Sequence, residues 1–247
     1  MKAVARLTAE FDGERTVLRE LASMAPLILF PRRSNRRGRS DALVHLVNSA
    51  TAPLGGDDLV LTVRVRAGAT LRLSGVAATL ALPGPRGEPS SSAVRIEVER
   101  GGRLDYLPEP TVITARARHR ALLTIDLEPG ARVRAREVLV LGRAGEPPGL
   151  LETTQHVVRA GAPVLRQTLR IGDPALDASV AYLAGRRVLA TELLLSDDAP
   201  SEPANGEWWS RTPLAAGGAL VTALANDAVT AARDLASAHL GQAERDG

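Results

Sequence analysis

Polar and apolar residues alternate along most of this chain, and the period is two. In "LVLTVRVRAGATLRLSG", Leu59, Leu61, Val63 and Val65 share one face while Thr62, Arg64 and Arg66 take the other. In "AVRIEVERGGRLDYL", Val94, Ile96 and Val98 alternate with Arg95, Glu97 and Glu99. In "LLTIDLEPGARVRAREVLVLG", Leu123, Ile125 and Leu127 alternate with Thr124 and Asp126. A period of two is that of a half-buried strand.

The turns between these strands recur. "RAGATL", "ERGGRL", "EPGARV" and "RAGAPV" place glycines at 68, 101, 130 and 161, at intervals of 33, 29 and 31 residues. "RLTAEFDGERTVLREL" has the same strand–turn–strand shape around Gly13. One such hairpin cannot bury its apolar face alone, so its neighbours must cover it. The pattern predicts an all-β protein of stacked, helically wound, β-solenoid-like sheets. No composition break divides the chain, which reads as a single domain over residues 1–247.

Helix is sparse. "NDAVTAARDLASAHL" offers Asn226 or Asp227 as a cap, then sets Val229, Ala232, Leu235, Ala236 and Leu240 on one stripe. The spacing predicts an amphipathic helix around 227–240, one of one or two short helices near the C-terminus. The segment "LSDDAPSEPANGEWWS" reads as a long excursion, with Trp208 and Trp209 either folding back or forming a docking edge.

Composition narrows the chemistry. Aromatics are only 2% of the chain, so the core is built from aliphatic side chains. There is no cysteine, which excludes disulfides, thiolate metal sites and cysteine nucleophiles. Neither a signal peptide nor an apolar run long enough to span a membrane is present, so a cytoplasmic protein without membrane contact is expected. Net charge is +3 and nearly all cationic residues are arginine. The cluster Arg32, Arg33, Arg36, Arg37 and Arg39 reads as a solvated loop or a contact for an acidic partner. It lacks aromatics to stack bases, so no nucleic-acid partner is expected.

Phosphate-binding loops, zinc-type histidine spacings and a nucleophile elbow are missing from the sequence, and the four histidines are scattered. What remains is a set of carboxylates at strand ends. Asp57, in "PLGGDDLVL", follows two glycines, and a turn role accounts for it. Glu109 lies between prolines at a fixed bend, and Glu137 directly precedes the apolar run Val138–Leu141. A carboxylate against buried strands is costly unless paired. Arg136 or Arg143, a divalent cation, or a string of waters could supply the pairing.

The succession of Gly55, Gly56, Asp57 and Leu59, the turn Gly68–Leu73, "GGRLDYLPEPTVI", "REVLVLGR" and "GGALVTALANDAVTAARDL" resembles the UreD (UreH) family of urease accessory proteins, from about residue 4 to about 240. It departs from the family pattern in three places. Upstream of Asp57 only His45, Leu46 and Asn48 match; "LPEPT" stands for "LPQET"; and Arg136 stands where an aromatic is common.

The resemblance implies a non-enzymatic maturation factor with a mostly β fold. It would bind apo-urease and UreF, and through UreF the GTPase UreG, and assist nickel insertion. No cofactor would be permanently bound, and nickel(II) would pass transiently. On that view Asp57 faces a water-filled passage, with Glu137, Glu109 and His45 as further nickel contacts. The alternatives are a scaffold that bridges urease and UreF without conducting nickel, and a β-rich carbohydrate-binding domain.

Overall fold

The computed structural model describes residues 1–32 and 41–240, so Arg33, Arg36, Arg37 and Arg39 lie outside the described residues. The strands are β1 (Lys2–Phe11), β2 (Thr16–Ala22), β3 (Leu27–Arg32), β4 (Ala42–Asn48), β5 (Asp58–Val65), β6 (Thr70–Gly75), β7 (Thr79–Ala81), β8 (Ser90–Val98) and β9 (Arg103–Leu107). They continue with β10 (Thr111–Ile113), β11 (Arg118–Leu127), β12 (Arg132–Leu141), β13 (Leu150–Arg159) and β14 (Ala162–Ile171). Helix α1 (Pro174–Ala178) follows, then β15 (Val188–Leu195), β16 (Ala204–Asn205), β17 (Trp209–Pro213), β18 (Ala219–Ala225) and helix α2 (Ala228–Leu240).

These strands form two sheets. The first has seven strands in the order β14-β13-β11-β8-β5-β1-β2. The second has eleven, with the main order β16-β17-β18-β15-β12-β9-β6-β4-β3 and the short β7 and β10 attached beside β12. The chain winds between them. Strands β5, β8 and β11 lie parallel in the first sheet, and their successors β6, β9 and β12 lie parallel in the second. Side chains 33 residues apart (Asp58 and Ser91) and 29 apart (Ser90 and His119) meet between neighbouring coils. This confirms the stacked, helically wound β architecture.

The recurrent glycines divide into two groups. Gly68, Gly101 and Gly130 have φ of 69°, 68° and 73° and turn the chain from the first sheet into the second. Their left-handed conformation suits a residue without Cβ. Gly13 and Gly161 instead close the antiparallel hairpins β1–β2 and β13–β14. At these ends of the first sheet the strand folds back on its predecessor rather than crossing over. Similar turn sequences thus make corners inside the stack and hairpins at its edges.

The alternating apolar residues meet between the sheets. Leu7, Val63, Ile96 and Ile125 from the first sheet pack with Leu71, Leu104, Val133 and Leu195 from the second. Burying each such side chain stabilises the fold by roughly 1.5–3 kcal/mol. Further along, Ile113, Leu139, Leu141, Leu151 and Ile171 form a second cluster.

Helix α2 is capped by Asp227, which accepts hydrogen bonds from Thr230 N and Thr230 Oγ1, both at 2.8 Å. Its buried face is Ala231, Leu235 and Ala238, which pack on Ala190, Val221, Ala223 and Ala225. This corrects the expected stripe: Val229 is 71% exposed, and Ala232 and Ala236 also face solvent. The side chain of Leu240 lies outside the described residues. Two alanines flanking one leucine let the helix sit close to an alanine-rich sheet, and a reading weighted by residue size misses that face.

Polar contacts also hold α2. Glu192 on β15 is 0% exposed and receives two hydrogen bonds from Arg134, at 2.7 and 3.1 Å. His239 Nε2, in the last turn of α2, lies 2.6 Å from Glu192 Oε1. Arg211 Nη1 donates to the Ala238 carbonyl at 2.7 Å, meeting one of the orphan carbonyls at the helix end. Trp209 packs against this cluster, while Trp208 stacks with Arg186, whose guanidinium carbon lies 3.6 Å from the ring centroid. Helix α1 was not legible, because its five residues are too few to show a period. Asp173 caps it by accepting from Ala175 N and Leu176 N.

Candidate functional site: a cavity beside a buried carboxylate

Strand β12 crosses from one apolar cluster to the other. Its inward positions are Val133, Ala135, Glu137, Leu139 and Leu141, so the alternation places a carboxylate between the two clusters. Strand β13, in the opposite sheet, answers with Thr153 and Gln155. Thr153 Oγ1 donates to Glu137 at 3.0 and 3.2 Å, and Gln155 Nε2 donates to Glu137 Oε2 at 3.3 Å. The same Gln155 amide reaches Thr191 Oγ1 on β15 at 3.2 Å, while its carbonyl oxygen is buried without a partner.

Glu137 also borders an internal cavity of about 160 Å³, large enough for several waters. Asn48, Tyr106, Glu109, His119 and Arg136 line it as well, among aliphatic residues. A surface hollow formed by the stretches 48–52 and 78–80 shares Asn48 and Thr79 with this cavity, so the two adjoin.

Burial sets the electrostatics here. It pushes the Glu137 carboxyl above its usual range, against the opposing hydrogen bonds from Thr153 and Gln155. Burial, with the nearby Glu137 charge, pushes the Tyr106 hydroxyl up. Burial pulls His119 down to about 4, so its imidazole is neutral at pH 7; Nδ1 lies 2.8 Å from Ser90 Oγ.

Two opposed pH trends follow. The raised carboxyl of Glu137 contributes stability that is complete below about pH 4.3 and is lost as pH rises through its folded value. The lowered imidazole of His119 contributes stability that is complete above about pH 6.5 and erodes towards pH 4, by about 3 kcal/mol at most. Glu137→Gln therefore raises the melting temperature, and by more at pH 8 than at pH 5. Thermal melts of the two proteins across that range check it.

The four carboxylate and histidine candidates occupy different environments. Glu137 and Glu109 line the cavity. Glu109 is held in a chain bend whose backbone presses on Gly75; a Cβ there would lie 2.9 Å from Glu109 Cγ. Asp57 is 6% exposed and lies elsewhere: its carboxylate accepts from the Met1 ammonium at 2.7 Å and from Leu54 N at 2.8 Å. It closes the Leu54–Asp57 turn and carries an ion pair there. His45 lies on β4 between inward-facing Val44 and Leu46 and points to the other face, with Nδ1 3.1 Å from Ser74 Oγ.

No arginine hydrogen-bonds to Glu137 among the described residues. Arg136, its chain neighbour, lines the same cavity without hydrogen-bonding to it, and Arg143 pairs with Glu146 at 2.8 Å. No group of three or more His, Cys, Asp or Glu is placed to hold a metal ion among the described residues. The partners that sequence reasoning missed are Thr153, Gln155 and Thr191. Two polar residues at consecutive inward positions of "LETTQHVV" were the available signal.

Fold and cavity together define a β-solenoid-like protein with a largely apolar cavity that holds a few polar groups, Glu137 among them. The UreD urease accessory protein family matches residues 1–243, and the chain belongs to that family. It is 56% identical over 240 residues to urease accessory protein UreD 1 of Saccharopolyspora erythraea, covering 96% of this chain and 94% of the relative. It is 41% identical to UreD of Parafrankia sp., covering 96% and 87%. It is 38% identical to UreD of Streptomyces avermitilis, covering 95% of each. The role of this chain therefore lies in urease maturation, alongside relatives named as accessory proteins. No helix among the described residues is long and apolar enough to cross a membrane.

Proposed function

We propose that this chain bridges apo-urease and UreF, which brings in the GTPase UreG, and that nickel(II) bound for the urease active site passes through the chamber between its sheets. The protein works in the cytoplasm, keeps no cofactor of its own and does no chemistry on the ion. The observation that carries this reading is Glu137, a buried carboxylate that meets hydroxyl and amide groups instead of an arginine and borders a cavity adjoining a surface hollow.

Nickel accepts oxygen and imidazole ligands when thiolates are absent. Glu109 and the neutral imidazole of His119 line the same chamber. Isolated ligands of this kind hold an ion weakly enough to release it, which a transit route needs. Asp57 and His45, outside the chamber wall, belong to this proposal as contacts further along the route.

The experiment is urease activation in cells carrying Glu137→Gln, with co-purification of urease and UreF measured in parallel. The expected result is at least tenfold less active urease with assembly intact. Unchanged activation removes Glu137 from the route. The rival reading, a scaffold that conducts nothing, draws support from the structural contacts of Asp57 and His45. It predicts that no variant assembles normally yet fails to activate.

A further inference from the structure

His119 lies on the inward face of β11, is buried, and borders the cavity. Strand register sets it beside Ser90 of β8. Two residues further along β11, roughly 6.6 Å away, Ala121 stands beside Thr153, which donates to Glu137 of the opposite sheet. His119 and Glu137 therefore border one cavity from opposite sheets.

The Ser90 hydroxyl has one proton and two polar neighbours. Its Oγ lies 2.8 Å from His119 Nδ1 and 3.4 Å from the Arg118 carbonyl oxygen. Ser90 is 1% exposed, so bulk water does not serve the hydroxyl. The carbonyl can only accept. Both contacts are hydrogen bonds only when the hydroxyl proton points at the carbonyl and Nδ1 carries the ring proton. That arrangement uses the hydroxyl as donor and as acceptor, as burial favours.

A neutral imidazole has one N–H and one lone pair, so the lone pair then sits on Nε2. No group hydrogen-bonds to Nε2 among the described residues, and the atom is not sealed off. It is the ring nitrogen left to the cavity. His45 differs. Its Nδ1 lies 3.1 Å from Ser74 Oγ, but no carbonyl takes that hydroxyl's proton among the described residues, so its tautomer is not fixed in this way.

We propose that Ser90 is a positioning residue: by accepting a hydrogen bond from Nδ1–H, it holds His119 in the tautomer whose Nε2 lone pair faces the cavity, and so makes His119 the imidazole contact for nickel(II). The inference rests on the nickel-passage reading and adds a contact beside Glu137. A metal-bound imidazole characteristically donates its other N–H to an oxygen, and loss of that partner costs roughly 10–100-fold in metal affinity.

The test is ring-nitrogen NMR at pH 7 of the full chain labelled with nitrogen-15 histidine, alone and then titrated with nickel(II). The His119→Gln protein identifies the His119 signals by their absence. The native chain is expected to show a protonated Nδ1 and an unprotonated Nε2 at His119, with signals that broaden as nickel(II) is added. Ser90→Ala is expected to lose the single tautomer and to need at least tenfold more nickel(II) for the same broadening.

A native chain with the proton on Nε2 overturns the inference, and that measurement needs no variant to fold. A Ser90→Ala protein with the native tautomer and a nickel(II) response within twofold of native overturns it as well. If nickel(II) leaves the His119 signals unchanged while diffraction places the ion beside Glu137, this contact falls and the passage reading stands. If the cavity takes up no nickel(II) at all, both fall.

Discussion

Glu192→Ala is expected to lower the unfolding free energy by about 3 kcal/mol and to release helix α2 from the sheet. Breaking a buried ion pair from one side costs roughly 3–5 kcal/mol, because the partner charge is left without compensation. Here the partner is Arg134, whose side chain is 41% exposed and can turn back to water, so the loss sits at the low end of that range. The His239 side chain loses the same anchor, and the alanine-faced helix then depends on Leu235 and the Arg211 bond to Ala238.

Burial pushes the Glu192 carboxyl up, but the His239 ring nitrogen 2.6 Å away and the hydrogen bonds from Arg134 outweigh it and hold the group below the usual range. Its contribution is therefore present above about pH 4.3 and is lost as pH falls through the lower folded value. Chemical denaturation of native and Glu192→Ala proteins at pH 7 and pH 4 reads both effects, and the difference shrinks at the lower pH. The double variant Arg134→Leu/Glu192→Leu recovers most of the loss, since well-packed apolar residues replace a buried pair at little cost. A Glu192→Ala protein as stable as native would mean that the helix is held by its apolar face alone.

Gly75→Val is expected to cost about 1–3 kcal/mol and to reduce urease activation by more than tenfold. Gly75 ends β6 and lines the cavity, and the position its Cβ would take is occupied by Glu109 N and, at 2.9 Å, Glu109 Cγ. The backbone between Pro108 and Pro110 is stiff and is tied by the hydrogen bond from Thr79 N to the Pro110 carbonyl at 2.9 Å. A branched side chain therefore either displaces Glu109 or opens β6 from β9. Both narrow or distort the chamber that Glu109 and Glu137 line. Activation assays paired with a thermal melt separate the two effects: a fold loss within the predicted range with full activation would show that the Glu109 wall is not needed.

The sheets were legible because they follow period-two alternation, and Leu123, Ile125 and Leu127 point inward as that period requires. The coil spacing was legible because each corner needs a left-handed residue and uses glycine. The crossing at Gly68, Gly101 and Gly130 was not, since a strand–turn–strand unit reads as a hairpin, as it is at Gly13 and Gly161, and a turn sequence does not state whether a next coil exists to receive the strand. Glu137 stood out as a charge abutting an apolar run. Its environment did not, because Thr153 and Gln155 come from the opposite sheet and only winding brings them across. The anchor for Asp57 was hidden for a similar reason: the Met1 ammonium reaches it only because β1 lies parallel to β5, with Lys2 beside Asp58. Glu192 was masked by its setting, "VLATELLL", where a lone acid in an apolar strand has no local partner.

The central claim, that a cation can occupy the chamber between the sheets beside Glu137, is tested most directly by anomalous diffraction at the nickel edge from crystals of the full chain soaked in nickel(II). The account predicts an anomalous peak inside the cavity within ligand distance of a Glu137 carboxylate oxygen, and its disappearance in Glu137→Gln crystals. Peaks confined to the outer surface, with none in the chamber at any nickel concentration the crystals tolerate, would contradict it.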